Sequence, residues 1–460
     1  MDFISKPLRS NLIALSLIGI SLFSFNLFIL PDQPVLLYDY KRVFFCALIV
    51  ISCLLLTLSH STRKDAINKV SSLSSLTKLL VFPFFLISLT SNIFGLYPTR
   101  GFIDFFYYTG IFLLIITLTK NKHNKVNYEL FSLISILCYL SVFMGFTVTN
   151  LYGDGSSIWT ILSYFNPRML NQVQVWLIIP CIYIALVSKS KKSYIPIIAN
   201  FTIMYALEAR GLFVAVVGGI AIWCLLNSKY RLEILKVTFS CLIIGYLIKL
   251  VTLSPIPSFI FNGEFSESIL GIRSSDSGRV ALWRHALEMV TFWGNGGDAF
   301  VCNSTLNSRP HNSILLVMVN WGVIPAFLYI GLIIHLFLKV IKTKRTKSQM
   351  LGVTLLSGIA YSLISGVLDS PFSLLLGCVF LSLYWEKLPK KRKSKKKGNE
   401  NNLIYHLIII VIAILSISSI SLKLTERITN NHYLADEYIP EIYKPQFWLG
   451  NNCLDNTKNN

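Results

Sequence analysis

Residues 387–422 read KLPKKRKSKKKGNENN followed by LIYHLIIIVIAILSISSISL, a block dense in Lys and Arg and then a run with no Lys, Arg, Asp or Glu. A helix rises about 1.5 Å per residue, so roughly twenty apolar residues cross the ~30 Å hydrocarbon core of a bilayer. A short basic loop in front of such a run is held on the cytoplasmic side by the positive-inside rule. The segment Lys387–Lys397 therefore reads first as a topology anchor, with attraction to anionic lipid as a secondary effect.

The same pattern recurs towards the N-terminus. Apolar runs occupy residues 11–30, 43–59, 79–97, 101–119, 128–150, 172–188, 194–209, 211–227, 237–253, 313–338, 350–367 and 372–386, with 403–422 as the last. Of 460 residues, 53% are hydrophobic and 14% charged, and the mean hydropathy is +0.60. That is too little charge to cover a soluble protein of this length. The first run follows Lys6 and Arg9 with no small-residue cleavage site after it, so it reads as a retained span. The expected fold is an all-α polytopic membrane protein with about 12–13 transmembrane helices and one large outer loop.

Orientation follows from counting Lys and Arg. With the N-terminus inside, the inner segments hold 28 of the 42 basic residues and the outer segments 13, leaving Lys249 within a span. The net charge of +20 is thus accounted for by topology, and nucleic acid is not an expected partner. The chain divides into an N-terminal transmembrane bundle (1–253), a large outer loop (254–312), C-terminal transmembrane helices (313–422) and an outer tail (423–460).

Four outer places carry chemistry-capable groups. Arg168, Asn171, Gln172 and Gln174 lead into the sixth span, where a buried amide needs a partner; interhelical hydrogen bonding is the plain reading. Glu208-Ala209-Arg210-Gly211 sits in a tight turn, where Glu208 could neutralise an Arg suited to anion binding. Asp276 or Ser277 would cap a helix with Arg279, Trp283, Ala286, Leu287 and Val290 on one face. Arg279 on that face has to meet something negative, whereas Arg284 has Glu288 one turn ahead for a simple ion pair. Arg309-Pro310-His311-Asn312-Ser313 opens the tenth span. There a helix N-terminus favours neutral imidazole, the form a general base needs, while Asn312 or Ser313 can cap the helix. Only Lys249 reads as clearly intramembrane. The outer side has no His-x-Glu-x-x-His, Asp-x-Asp or Cys-rich cluster, so no metal or cofactor is expected.

These residues resemble the O-antigen ligase superfamily, which includes O-antigen polymerases and bacterial O-oligosaccharyltransferases. The resemblance rests on Glu208-Ala209-Arg210-Gly211, on Arg279-x-x-x-Trp283 followed by Gly294-Asn295-Gly296-Gly297, and on His311-Asn312-Ser313 opening a span that contains Trp321-Gly322. It covers roughly residues 160–370. It implies a GT-C-like helical fold and metal-independent, inverting transfer from an undecaprenyl-diphosphate-linked glycan. It also implies an active site facing the periplasm of a bacterial inner membrane. Arg210 and Arg279 match the family's diphosphate-binding arginines and His311 its general base. Gln172 is similar to a glutamine that some oligosaccharyltransferases need, and Arg168, Arg284 and Asn312 are further substrate-binding candidates. Glu208-Ala209 departs from the small residue often found before the Arg. The stretch Asn171–Trp176 resembles members that glycosylate pilin-type proteins; lipid A core and a growing glycan are the alternative acceptors. A lipid-linked sugar flippase is the competing class, disfavoured because the charges gather at one face. Seven of the nine cysteines lie in apolar runs; Cys302 and Cys453 lie outside them and are candidates for an outer disulfide.

Overall fold

The computed structural model describes residues 2–24, 34–118, 124–152, 167–263, 265, 278–304, 306, 309–388 and 403–429. Those residues form nineteen α-helices and no strand. Eight helices are long and apolar enough to cross a membrane, and they fall on eight of the thirteen predicted runs. They include α1 (Asp2–Ser24), α2 (Pro34–Leu58), α4 (Ser75–Ile93), α5 (Pro98–Leu118), α6 (Asn124–Tyr152) and α11 (Arg231–Thr252). The other two are α16 (Val323–Ile341) and α19 (Leu403–Thr429). The remaining five runs are helical but shorter: α8 (Ile178–Ser188), α9 (Ile195–Ala206), α10 (Arg210–Leu226), α17 (Thr346–Ser362) and α18 (Pro371–Lys387).

Two predicted spans are interrupted. The sixth comprises α7 (Pro167–Gln174) and α8, separated by a turn in which Trp176 N donates to Val173 O and Leu177 N to Gln174 O. Those bonds close over three residues instead of four, which tightens the helix locally. The tenth comprises α15 (Ser313–Trp321) and α16, separated at Gly322, whose φ of 96° suits only glycine. A break inside a membrane bundle is tolerated where protein groups take up the released backbone partners. Here Ser91 Oγ donates to Trp321 O at 2.8 Å, and Val323 N donates to Phe292 O at 3.1 Å.

A further helix, α3 (His60–Ser71), occupies a segment expected to be loop. Its polar sequence buries only Thr62, Ala66 and Ile67, and Ser59 caps it by accepting from Thr62 N. Between α11 and α15 lie three short helices, α12 (Ile256–Asn262), α13 (Arg279–Glu288) and α14 (Ala299–Asn303).

The core is continuous from α1 to α19, and its largest buried side chains include Trp176, Trp223, Phe131 and Phe380. Trp176 is seated between α17 and α18, where Gly358 and Gly377 leave room for the ring. Phe380 stacks on Phe131 with centroids 4.9 Å apart. Outward faces stay apolar: Leu79, Leu225 and Phe327 are 65%, 74% and 67% exposed. An apolar exterior over long helices fits lipid as the surrounding solvent.

Polar contacts sort the connecting segments into two ends. At one end Arg9 pairs with Asp65, His335 meets Thr77, Asn227 bonds Thr346 and Gln349, and Lys69 lies over Trp385. At the other, Arg42 reaches Asp369 O, Asn92 accepts from Gly297 N, Asn150 accepts from Ser258, and Lys423 pairs with Asp298. This is the pairing of ends that an alternating path through the predicted spans requires. The first end carries the Lys-rich loops.

Candidate functional site

The turn between α17 and α18, residues 363–370, is met by side chains from three other parts of the chain, Arg42, Gln172 and Arg309. Gln172 on α7 is 5% exposed and uses its whole amide on this turn. Its nitrogen donates to Gly366 O at 3.1 Å and Ser370 Oγ at 2.8 Å, and its oxygen accepts from Ser365 Oγ and Gly366 N. The reverse amide orientation faces oxygen towards acceptors and nitrogen towards donors, so the satisfied one is taken. Ser373 Oγ accepts from Trp176 Nε1 at 2.9 Å and donates to Gln172 O at 2.8 Å, which ties the broken sixth span to α18. Gln174 donates to Asn200 O and Oδ1. Both glutamines thus do the interhelical hydrogen bonding that is their plain reading.

Above Gly366 an ion pair forms. Arg309 Nη1 lies 3.1 Å from Asp369 Oδ2, with the two side chains 6% and 19% exposed. Asp369 O accepts from Arg42 Nη2 at 3.0 Å, and Arg42 Nη1 donates to Tyr107 OH at 3.4 Å. A Cβ on Gly366 would stand 3.2–3.4 Å from Asp369 Oδ2, Arg309 Nη1 and the Gln172 amide, so three side chains converge over one glycine.

His311 follows Arg309 by two residues. It is half-buried with φ 51°, a left-handed backbone uncommon outside glycine. Its neighbours fix that conformation. Pro310 O accepts from Trp283 Nε1 at 3.0 Å. Asn312 caps α15 by accepting from Ile314 N and Leu315 N. Ser313 Oγ meets Ser362 Oγ at 2.9 Å. The Asn312 oxygen is therefore engaged in capping.

Arg210 is the exposed first residue of α10. Its neighbour Gly211 abuts the turn: a Cβ there would meet Ile364 at 2.8 Å and Tyr361 at 3.0 Å. Glu208 lies within electrostatic reach of Lys249. Arg279 begins α13, with Gly278 as the N-cap; Asp276 and Ser277, the expected caps, lie outside the described residues. The buried face of α13 is Leu282 and Ala286, packed on Phe300 and Val319, whereas Leu287 is 55% exposed and off the expected face. Arg279 is half-buried and its Nε has no hydrogen-bond partner. The expected Arg284–Glu288 pair does not form, because Glu288 Oε2 sits 3.9 Å from His285 Nδ1 and Arg284 is left exposed. Arg168 belongs to α7, but its side chain lies outside the described residues, as do Cys453 and the tail beyond residue 429.

The Gly294–Gly297 stretch reaches the break in the tenth span. Asn295 N donates to Val319 O at 3.0 Å and Gly296 N to Asn320 O at 2.6 Å, so two motifs quoted separately from the sequence are hydrogen-bonded to each other. Ser91 Oγ is within 2.6 Å of Trp293 O and 2.8 Å of Trp321 O. Beyond it, Asp298 is buried with φ 62°, and its Oδ2 lies 3.5 Å from Lys423 Nζ on α19. A Cβ on Gly297 would lie 3.0 Å from Asp104 Oδ2. Asp104 lies within α5, which corrects the expectation that Lys249 alone is intramembrane.

Sequence reading found Arg210, Arg279, Gln172 and His311 and quoted Arg309 without a role, but passed over Arg42, Asp369, Asp298, Asp104 and Lys423. An acid or base at the edge of an apolar run was the available signal, because such a group needs a partner. Against protein-family models and against curated proteins, the chain has no match.

Proposed function

We propose that this chain is a membrane glycosyltransferase of O-antigen ligase type that moves a glycan from undecaprenyl diphosphate to an acceptor hydroxyl. The observation carrying this reading is convergence on one turn. Gln172, Gly211 next to Arg210, Arg309 two residues before His311, and Ser313 all contact residues 361–370. The helix begun by Arg279 is tied to Pro310 beside His311. Arginine is suited to diphosphate because its planar fork donates to two oxygens at once.

In this mechanism the acceptor oxygen attacks the sugar C1 opposite the diphosphate, and the C1–O bond to phosphate breaks. Undecaprenyl diphosphate leaves with both electrons, stabilised by Arg210 and Arg279. The hydroxyl proton passes to His311. The site faces the periplasm of a bacterial inner membrane, and the favoured acceptor is a hydroxyl of a pilin-type protein, ahead of lipid A core or a growing glycan.

Cells lacking the protein, complemented with wild type or with His311→Ala, Arg210→Ala or Arg279→Ala, test it. Pilin mass and lipopolysaccharide banding are scored from the same cultures. Loss of product in all three variants at normal expression supports the reading; unchanged products with well-expressed variants would overturn it. A flippase remains the second reading, favoured by the charges of Asp104, Asp298 and Lys423 within or beside the bundle. Liposomes that translocate lipid-linked glycan without an acceptor would select it.

A further inference from the structure

Beyond the outer end of α11 the chain continues into α12, and that short helix is built inside out. Its buried side chain is Ser258, whose Oγ donates to Asn150 Oδ1 at 3.1 Å and so ties the helix to the end of α6. Opposite Ser258, the spacing of three and four residues puts Ile256, Phe259 and Ile260 on one face. They are 40%, 47% and 69% exposed. Just past the helix, Phe265 is exposed as well and stacks on Phe259 with centroids 4.4 Å apart. A helix lying on a protein in water does the reverse, turning its apolar stripe inward and its polar face outward.

Length and charge agree with that inversion. The apolar helical stretch runs for 35 residues, from Ser228 to Asn262. Roughly twenty helical residues cross a hydrocarbon core, and α11 alone supplies 22, so α12 is surplus to the crossing. No Asp, Glu, Lys or Arg lies between Lys249 and Glu264 to draw the surplus into water. Along α11 the exposed side chains Phe239, Ile243, Leu247 and Val251 form a lipid-facing stripe at steps of four residues. That stripe leads into α12 across the turn Leu253–Pro255, so the apolar exterior continues from one helix to the next. Gly263 then ends α12 with φ 73°, its N–H donating to Phe259 O at 3.0 Å.

We infer that α12 is an interfacial foot, lying in the outer leaflet with Ile256, Phe259 and Ile260 among the acyl chains. The partner of this face is lipid hydrocarbon. Its immersion is independent of headgroup charge, because the face has no ionic group to read one. The bond from Ser258 to Asn150 holds the foot against the bundle, and the chain leaves the membrane after Gly263 instead of at residue 254. Amphipathic helices at a membrane surface bury their apolar face in this way. The inference stands apart from the transfer reaction proposed above.

Spin labelling of the full-length protein in liposomes tests it. Ile256→Cys, Phe259→Cys and Ile260→Cys are labelled one at a time. Val251→Cys serves as a lipid-facing reference, and Lys189→Cys, in an exposed connection at the other end, as a water-facing one. The seven free described cysteines are buried and Cys302 is disulfide-bonded, so the unsubstituted protein supplies the background. Accessibility to oxygen, which enters lipid, against a water-soluble nickel chelate gives the depth of each label. The three α12 labels are expected to favour oxygen as Val251 does, at about 5–10 Å below the headgroup boundary. The depth should be the same in phosphatidylcholine alone and with phosphatidylglycerol added. Chelate accessibility equal to that at Lys189 would place α12 in water and overturn the assignment. Labels reached by neither reagent would overturn it too, since protein and not lipid would then cover this face.

Discussion

Replacing Asp369 by Asn leaves the Arg309 guanidinium 3.1 Å from a neutral group in a nearly enclosed site. At an effective dielectric of about 20, a pair at that distance is worth roughly 5 kcal/mol of direct attraction. Much of it is offset by the desolvation of both ions, so the net worth of the intact pair is small. Removing one partner is different, because the remaining charge stays buried: the expected cost is about 3–5 kcal/mol for Asp369→Asn or for Arg309→Met. The double variant carries no stranded charge, so its loss should fall well short of the sum, with a coupling of about 2 kcal/mol or more. The bond from Arg42 to the Asp369 carbonyl is a backbone contact and survives both changes. The assay is unfolding by SDS in mixed micelles, followed by Trp fluorescence, for the wild type, both single variants and the double variant. Single-variant losses below about 1 kcal/mol, or losses that add within about 0.5 kcal/mol, would refute the argument that this pair is a buried and coupled unit.

Three further outcomes are expected. Gly358→Ala puts a methyl group into the Trp176 ring and should cost about 1–3 kcal/mol in the same SDS titration, part of it recovered by adding Trp176→Phe. Gly322→Ala combines φ 96° with a Cβ 2.5 Å from Phe292 O, so backbone strain of about 1–3 kcal/mol adds to a clash with main chain that cannot rotate away. The yield of folded protein by fluorescence size-exclusion should collapse, and a normal yield would discount the Gly322 geometry. Cys302 is disulfide-bonded, whereas the seven other described cysteines are free and buried. A membrane-impermeant maleimide should therefore label Cys302 only after reductant, and labelling beforehand would contradict the bond.

The helices were legible because twenty apolar residues admit few other structures in a chain with so little charge. Their interruptions were not. Val175 to Leu177 and Gly322 sit inside runs that look continuous, and what stabilises each break comes from far along the chain: Ser373 for the first, Ser91 and Phe292 for the second. Helix α3 was missed for the opposite reason, since a polar segment gives no apolar period and its few buried residues are defined only by packing. At the candidate site, single residues of recognisable chemistry such as His311 and Arg210 could be chosen from the sequence. Pairs could not: Arg309 and Asp369 are sixty residues apart, and Asp298 and Lys423 more than a hundred.

The distribution of these charges separates structural from chemical arginines. Arg42, Arg309 and Lys423 face Asp369, Asp298 and Asp104 through direct bonds or close approach, three cations against three carboxylates. Lys41, beside them, lies over the Phe372 ring. Such a matched network can be buried at modest cost and ties Asp298 and Arg309 to the bundle, so its cations are largely committed to carboxylates. Arg210 is exposed at the start of α10, and Arg279 is half-buried at the start of α13, with no carboxylate bonded to it among the described residues. In the proposed transfer, Arg279 at the start of α13 is better placed than the network to meet the charge of a diphosphate. Arg279→Ala should then abolish transfer with the SDS midpoint unchanged, whereas Arg309→Met should lower both together.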